Sequence, residues 1–289
     1  MRRVAALQLR VTGNAIDNLQ RAANLIDAAV AEGASVVALP ECFTGSYGVQ
    51  HFRSWQESVP QDAAAGRWQR GSGGGAAMMA DAASRHGITV TGGIIEREVA
   101  GERLFNSMPV YGPDGRHIVT YRKVHLSRVL GITSESDVLE AGNETVDFEI
   151  PPASEAAAAT DSLHVGMACC FDLRFAPFLA KYGPVPESSR VDVLCAPSAF
   201  LDRTGVDHWD LLVRRAALDL QSYVVAPNIA YDASDDVPLH GRSMIADPWG
   251  RVLAQCPAEG DDLAIADMSR AYLEDVRAKL PIAPLLRGV

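Results

Sequence analysis

Ser35-Val36-Val37-Ala38-Leu39-Pro40-Glu41-Cys42-Phe43 is the stretch on which the fold turns. Residues 35–39 form a short, uninterrupted apolar run, the signature of a strand covered on both faces. Pro40 has no N–H to give a ladder and stops it. A carboxylate, Glu41, follows at once. Upstream, Val4-Ala5-Ala6-Leu7-Gln8-Leu9 reads as another strand. Between the two, Leu19, Ala22, Ala23, Ile26 and Val30 recur at helical spacing, and Gly33 closes that helix. The first forty residues therefore read strand, helix, strand.

The alternation continues. A helix is predicted over 76–85, then a strand from Ile88 that runs past Gly92-Gly93 to Ile95. Two strands over 107–111 and 117–121 flank Gly112-Pro113-Asp114-Gly115-Arg116, and a second hairpin brackets Asp247-Pro248-Trp249-Gly250. Further strands are predicted ending at Cys170, over 191–196, 223–226 and 263–267. Helices are predicted from about Phe175, from Asp207 to Gln221, and after a Ser269 cap to Lys279. Strands alternating with helices, with hairpins interspersed, imply an α/β layered fold with mixed sheets. No linker divides the chain, so residues 1–289 read as one domain. The biased stretches 66–75 and 151–161 read as surface insertions.

Composition narrows the function. With 26 basic and 36 acidic residues the net charge is −10, which argues against nucleic acid and anionic membranes as partners. No apolar run reaches membrane-spanning length and no signal peptide is evident, so a cytoplasmic protein is expected. Five cysteines without a CxxC suggest a reducing compartment, with Cys169, Cys195 and Cys256 as core residues. Dinucleotide, Walker, HExxH and GxSxG motifs are absent, and the seven His show no ligand spacing. Neither a cofactor nor a metal is implied.

Reactive side chains instead collect at strand ends, where sites in layered α/β folds gather. They lie in Leu39-Pro40-Glu41-Cys42-Phe43, in Tyr121-Arg122-Lys123-Val124-His125-Leu126, in Ser134-Glu135-Ser136, and in Cys170-Phe171-Asp172-Leu173-Arg174-Phe175. Singly, each is explained as a cap, a solvated charge or a core thiol. In this order, the four strings resemble the nitrilase superfamily, the carbon–nitrogen hydrolases, over nearly the whole chain. The run after the thiol looks most like the omega-amidase and deaminated-glutathione-amidase branch. So do Ser46-Tyr47-Gly48, Phe105-Asn106-Ser107, Pro197-Ser198-Ala199-Phe200 and Asp207-His208-Trp209. The chain departs from that branch in a short loop between Leu126 and Glu135, in Pro177, in Ala141, and in apparent insertions at 63–75 and 152–160.

The resemblance implies a four-layer α-β-β-α sandwich, paired through a helical layer into a homodimer or larger assembly, and a small amide as substrate. It implies Cys170 as nucleophile, Glu41 as base, Lys123 as the positive charge beside the sulfur, and Glu135 as the residue that orients Lys123. It also implies the Phe171 N–H as an oxyanion donor. Arg174 has two readings: a clamp for a substrate carboxylate, or an internal salt bridge that fixes the turn, the latter favoured. Rival chemistries are hydrolysis of an N-carbamoyl compound or nitrile, acyl transfer to an amine, and a Cys–His mechanism using His125 or His208. A non-catalytic interaction protein on the same fold is the remaining alternative. The rings of Trp209 and Trp249 are expected to pack.

Overall fold

The computed structural model describes residues 1–60, 68–69, 71, 74–99, 101–128, 134–151, 162–183, 190–235 and 237–282. In chain order the strands are β1 (Arg2–Gln8), β2 (Val36–Ala38), β3 (Gln56–Glu57), β4 (Thr89–Thr91), β5 (Ile94–Arg97), β6 (Leu104–Tyr111), β7 (His117–Arg122), β8 (Asp147–Ile150), β9 (Leu163–Met167), β10 (Val193–Cys195), β11 (Tyr223–Ala226), β12 (Met244–Ala246), β13 (Val252–Gln255) and β14 (Asp262–Met268). The helices are α1 (Ala15–Ala31), α2 (Val49–Phe52), α3 (Gly75–His86), α4 (Ala176–Leu179), α5 (Asp202–Leu220) and α6 (Arg270–Lys279).

Two mixed sheets result. One runs β14-β1-β2-β4-β6-β5-β3 with β7 on β6, and the other β13-β12-β11-β10-β9-β8. The pleat of β1 shows how they stack. Val4 and Ala6 join Met108, Val110, Val165 and Val193 in the core between the sheets. Ala5 and Leu7 point the other way, to Leu19 and Ile26 of α1 and Met79 and Ala83 of α3. Helix α5 buries Trp209, Val213, Ala217 and Leu220 and packs on β11 and β12, covering the far side of the second sheet. This is the expected α-β-β-α sandwich. Asn14 caps α1 through the N–H groups of Ile16 and Asp17, and Ser269 caps α6 through that of Tyr272. Among the described residues no helix is long and apolar enough to cross a membrane.

The predicted strand across Gly92-Gly93 is divided into β4 and β5, but the register against β6 does not slip: Thr91 faces Val110 and Ile94 faces Ser107. The gap has a use. The Gly93 N–H donates to Pro40 O at 2.9 Å and its carbonyl accepts from Phe43 N at 3.2 Å, which pins the turn carrying Glu41. A Cβ on Gly93 would come within 2.5 Å of the Glu41 Cα, so only glycine permits this approach. The expected strand end at Cys170 is corrected as well. β9 stops at Met167, residues 170–174 form a 3₁₀ turn, and only the four-residue α4 follows. Residues 152–160, most of 63–75, and 129–133 of the loop before Glu135 lie outside the described residues.

One half-buried carboxyl makes a stability prediction. Glu57 accepts the N–H groups of Gly75 and Ala76, the first residues of α3, at 3.0 and 2.9 Å. Burial outweighs those two bonds and pushes its pKa up from 4.5 to about 7. A folded-state pKa above the unfolded value means the native state holds the proton more tightly. The contribution is complete below pH 4.5 and is lost as pH rises through about 7. Over that window the wild type loses about 3 kcal/mol from this group. Urea unfolding of wild type and Glu57→Gln at pH 5 and pH 8 checks it: the variant is expected to show a smaller drop, and equal drops would remove the assignment.

Candidate active site

The turn after β2, the end of β7 and the 3₁₀ turn at Glu135–Asp137 bring three charged side chains together. Lys123 Nζ lies 2.8 Å from Glu41 Oε1 and 2.9 Å from Glu135 Oε2, with all three side chains buried. Burying an ammonium is costly unless it is paired and hydrogen-bonded, and here two carboxylates meet it. Lys123 is set by its own backbone: its N–H donates to Asn106 O and its carbonyl accepts from Gly142 N, each at 2.8 Å. A Cβ on Gly142 would stand 2.1 Å from Arg122 O.

The carboxylates are further fixed by neutral donors. Asn106 Nδ2 donates to Glu41 Oε1 at 2.7 Å, and the Ala199 N–H to Glu41 Oε2 at 2.7 Å. Tyr47 Oη donates to Glu135 Oε1 at 3.0 Å, and the Ser127 N–H to Glu135 Oε2 at 2.6 Å. Beyond Tyr47 a cavity of about 180 Å³ is also lined by Val11, His51, Ile229 and Leu239. Burial alone drives the Glu41 carboxyl upward. The Lys123 charge and bond, the Cys169 thiol and the Ala199 N–H reverse this and hold it below the usual range. Burial lowers the Lys123 ammonium, but Glu135 and Glu41 outweigh it and raise it well above normal.

Cys170 sits beside this cluster on a backbone of φ 44°, the left-handed region that a side chain seldom occupies. Its N–H is tied to Pro197 O at 3.0 Å. Burial and the charges of Glu41 and Glu135 raise the thiol, while Lys123 and the Ala199 N–H act to lower it; the net is upward, so the resting sulfur is protonated. Ala199 N–H therefore bears on both Glu41 and the sulfur. Cys169, expected to be core, is fully buried, and its thiol also bears on Glu41. All five cysteines are free thiols.

Asp172, not Arg174, locks the turn. Asp172 accepts from Tyr121 Oη at 2.6 Å, Cys169 N at 2.9 Å and His125 N at 2.9 Å, and meets His125 Nδ1 at 2.7 Å. The favoured salt-bridge reading of Arg174 is thereby replaced. Its guanidinium has no carboxylate partner among the described residues. It lies over the rings of Phe200 and Phe171, 5.0 and 5.7 Å from their centroids, and 3.1 Å from His208 Nδ1. Phe171 is half-buried, and its N–H has no backbone partner among the described residues. His125 is committed to Asp172 and stacks on Phe175 at 3.7 Å, and His208 is committed to Arg174, so neither is placed as a base for the sulfur. Trp209 packs in the core as expected, but Trp249 is 38% exposed.

In the sequence Asn106, Tyr47 and Ala199 lie only inside segments that resemble the omega-amidase branch, with no role attached to them. Asn106 carried a readable signal: a polar Asn-Ser pair inside the otherwise apolar strand Leu104–Tyr111 must find partners when buried.

Two stacked sheets carrying a buried acid–ammonium–acid cluster beside a thiol define the layered hydrolase class of the nitrilase superfamily. Residues 3–278 match the carbon-nitrogen hydrolase family, and the chain belongs to it: it is a hydrolase acting on carbon–nitrogen bonds. It is 35% identical to the zebrafish (Danio rerio) omega-amidase NIT2 over 99% of this chain and 95% of that protein. It is 32% identical to the human (Homo sapiens) omega-amidase NIT2 over 97% and 93%. Among solved structures it resembles Saccharomyces cerevisiae Nit3, a member of branch 10 of the nitrilase superfamily, with a TM-score of 0.78, 26% identity and coverage of 97% and 94%.

Proposed function

We propose that this hydrolase is a cysteine-dependent amidase that converts a small carboxamide, an omega-amide of a dicarboxylic acid, to the acid and ammonia through a thioester on Cys170. The observation that carries the reading is the buried Glu41–Lys123–Glu135 cluster, whose charges bear on the Cys170 thiol. Its similarity to the omega-amidases supports the substrate class.

In this reading the neutral thiol attacks the amide carbon while its proton passes to Glu41. Because Glu41 is held below the normal carboxylate range, proton transfer and attack proceed together. The oxyanion that forms is met by the Lys123 ammonium and the Phe171 N–H, and losing one such donor typically costs about 3 kcal/mol. Glu41 then returns the proton to the leaving nitrogen and ammonia departs. Water, activated by Glu41, adds to the thioester carbonyl, and collapse of that adduct expels the thiol and leaves the acid. Glu135 keeps Lys123 aligned throughout. Arg174, an unneutralised cation near the sulfur, clamps a carboxylate at the far end of the substrate.

The same reading pairs two or more copies through the helical layer, supported by Val206 and Leu211 of α5, each 65% exposed. It places the enzyme in the cytoplasm, with free thiols and no cofactor. Incubation with a panel of small amides, followed by mass spectrometry, is expected to show one acyl group on Cys170 and ammonia with free acid as products. Carbon dioxide among the products would instead indicate a carbamoyl substrate, and a new amide would indicate acyl transfer. An adduct elsewhere would overturn the assignment of the nucleophile.

A further inference from the structure

Arg174 is held in an unusual way. Its guanidinium lies over two aromatic rings, Phe171 from its own turn and Phe200 from the segment before α5. Phe200 is itself backed by Trp209, with ring centroids 5.2 Å apart, and Trp209 is fastened by its Nε1–H to Arg242 O at 2.8 Å. The third hold is His208, one residue before Trp209, whose Nδ1 is 3.1 Å from Arg174 Nη1. A guanidinium has five donors and no acceptor. Nδ1 must therefore be the acceptor, and His208 must be the neutral tautomer with its proton on Nε2.

The choice of a neutral acceptor matters. A carboxylate in this position would anchor the arm equally well but would cancel its charge. Imidazole fixes one N–H of the fork and leaves the full positive charge for another anion. Partial burial already disfavours the charged form of Arg174, and its charge bears on Cys170. The guanidinium, carried four residues after the thiol on the same turn, is thus partly stripped of water and lacks a protein counter-ion among the described residues.

We infer that His208 is a positioning residue that holds the Arg174 guanidinium in place without neutralising it, so that the pair selects amides bearing a carboxylate remote from the scissile bond. This rests on the reading of Arg174 as a clamp, and the test separates the two. Steady-state kinetics are measured with the monoamide of butanedioic acid and with butanamide, which keeps the chain length and lacks the acid. The quantity read is the ratio of kcat/KM for the first substrate to that for the second.

His208→Ala is expected to lower the ratio about tenfold, with the change falling on KM for the acid-bearing amide. His208→Asn, whose Oδ1 accepts from nearly the same position as Nδ1, should recover most of it. His208→Asp keeps an acceptor but adds the cancelling charge, and should lower the ratio as Ala does. A merely structural residue would move both substrates alike and leave the ratio near its wild-type value in every variant; that result overturns the proposal. Arg174→Gln keeps the two failures apart. If it lowers the ratio about a hundredfold while His208→Ala does not change it, the positioning role falls and the clamp stands. If Arg174→Gln leaves the ratio unchanged, the clamp itself falls, and the role of His208 with it.

Discussion

Lys123→Met is expected to abolish turnover and to destabilise the chain by about 3–5 kcal/mol. The side chain is fully buried, so water cannot replace the lost ammonium. Glu41 and Glu135 would be left facing each other, sharing Asn106 Nδ2 at 2.7 and 3.4 Å. Two carboxylates forced together in that space repel, and the like charge favours protonating one of them. Equilibrium urea unfolding gives the stability term. Adding Glu135→Gln to Lys123→Met should return part of the stability and none of the activity, a coupling that a double-mutant cycle reads directly. A Lys123→Met protein of wild-type stability would show that the pair contributes nothing to folding. The linkage also has a sign. Glu41 is depressed in the folded state, so its contribution is present above its unfolded value of 4.5 and is lost as pH falls through the lowered one.

Cys170→Ala and Cys170→Ser are expected to lower kcat by about five orders of magnitude. Serine fails because its hydroxyl is harder still to ionise beside two carboxylates. Cys169 cannot substitute, since it is fully buried behind the turn that Asp172 closes. Ammonia release by Cys170→Ala at anything near the wild-type rate would remove this residue from the chemistry. The backbone adds a second readout. At φ 44° a side chain stores strain that glycine does not, so Cys170→Gly should unfold about 1 kcal/mol later than Cys170→Ala. Differential stability of the two inactive variants thus measures what the strained turn costs.

Much of the sandwich was legible because its signals are local. The apolar run at 35–39, the helical spacing from Leu19 to Val30 and the turn chemistry at 112–116 each specify one element without help from elsewhere. β3 was invisible: Gln56 and Glu57 have no strand pattern, and only pairing with Ile95 and Glu96 makes them one. The turn at Cys170 was misread for a similar reason. Whether Asp172 or Arg174 anchors it depends on Tyr121 and His125, which arrive from 51 and 47 residues away. Glu41 and Lys123 are 82 residues apart, yet their strings stood out because both lie just past strand ends. Of the neutral donors around the cluster only Asn106 left a trace, as a polar residue inside an apolar strand; two are backbone N–H groups and Tyr47 is an ordinary polar side chain.

The placement of Glu41 on one sheet and of Cys170 and Ala199 on the other makes the enzyme sensitive to how the sheets sit on each other. Glu41 is bonded across that seam to the Ala199 N–H at 2.7 Å. A slip of a few tenths of an ångström between the layers, too small to unfold anything, would misalign proton donor and acceptor. Catalysis in this protein should therefore act as a strain gauge for its own interior, with turnover faltering on trimming Met108 or Val165 well before the melting temperature responds.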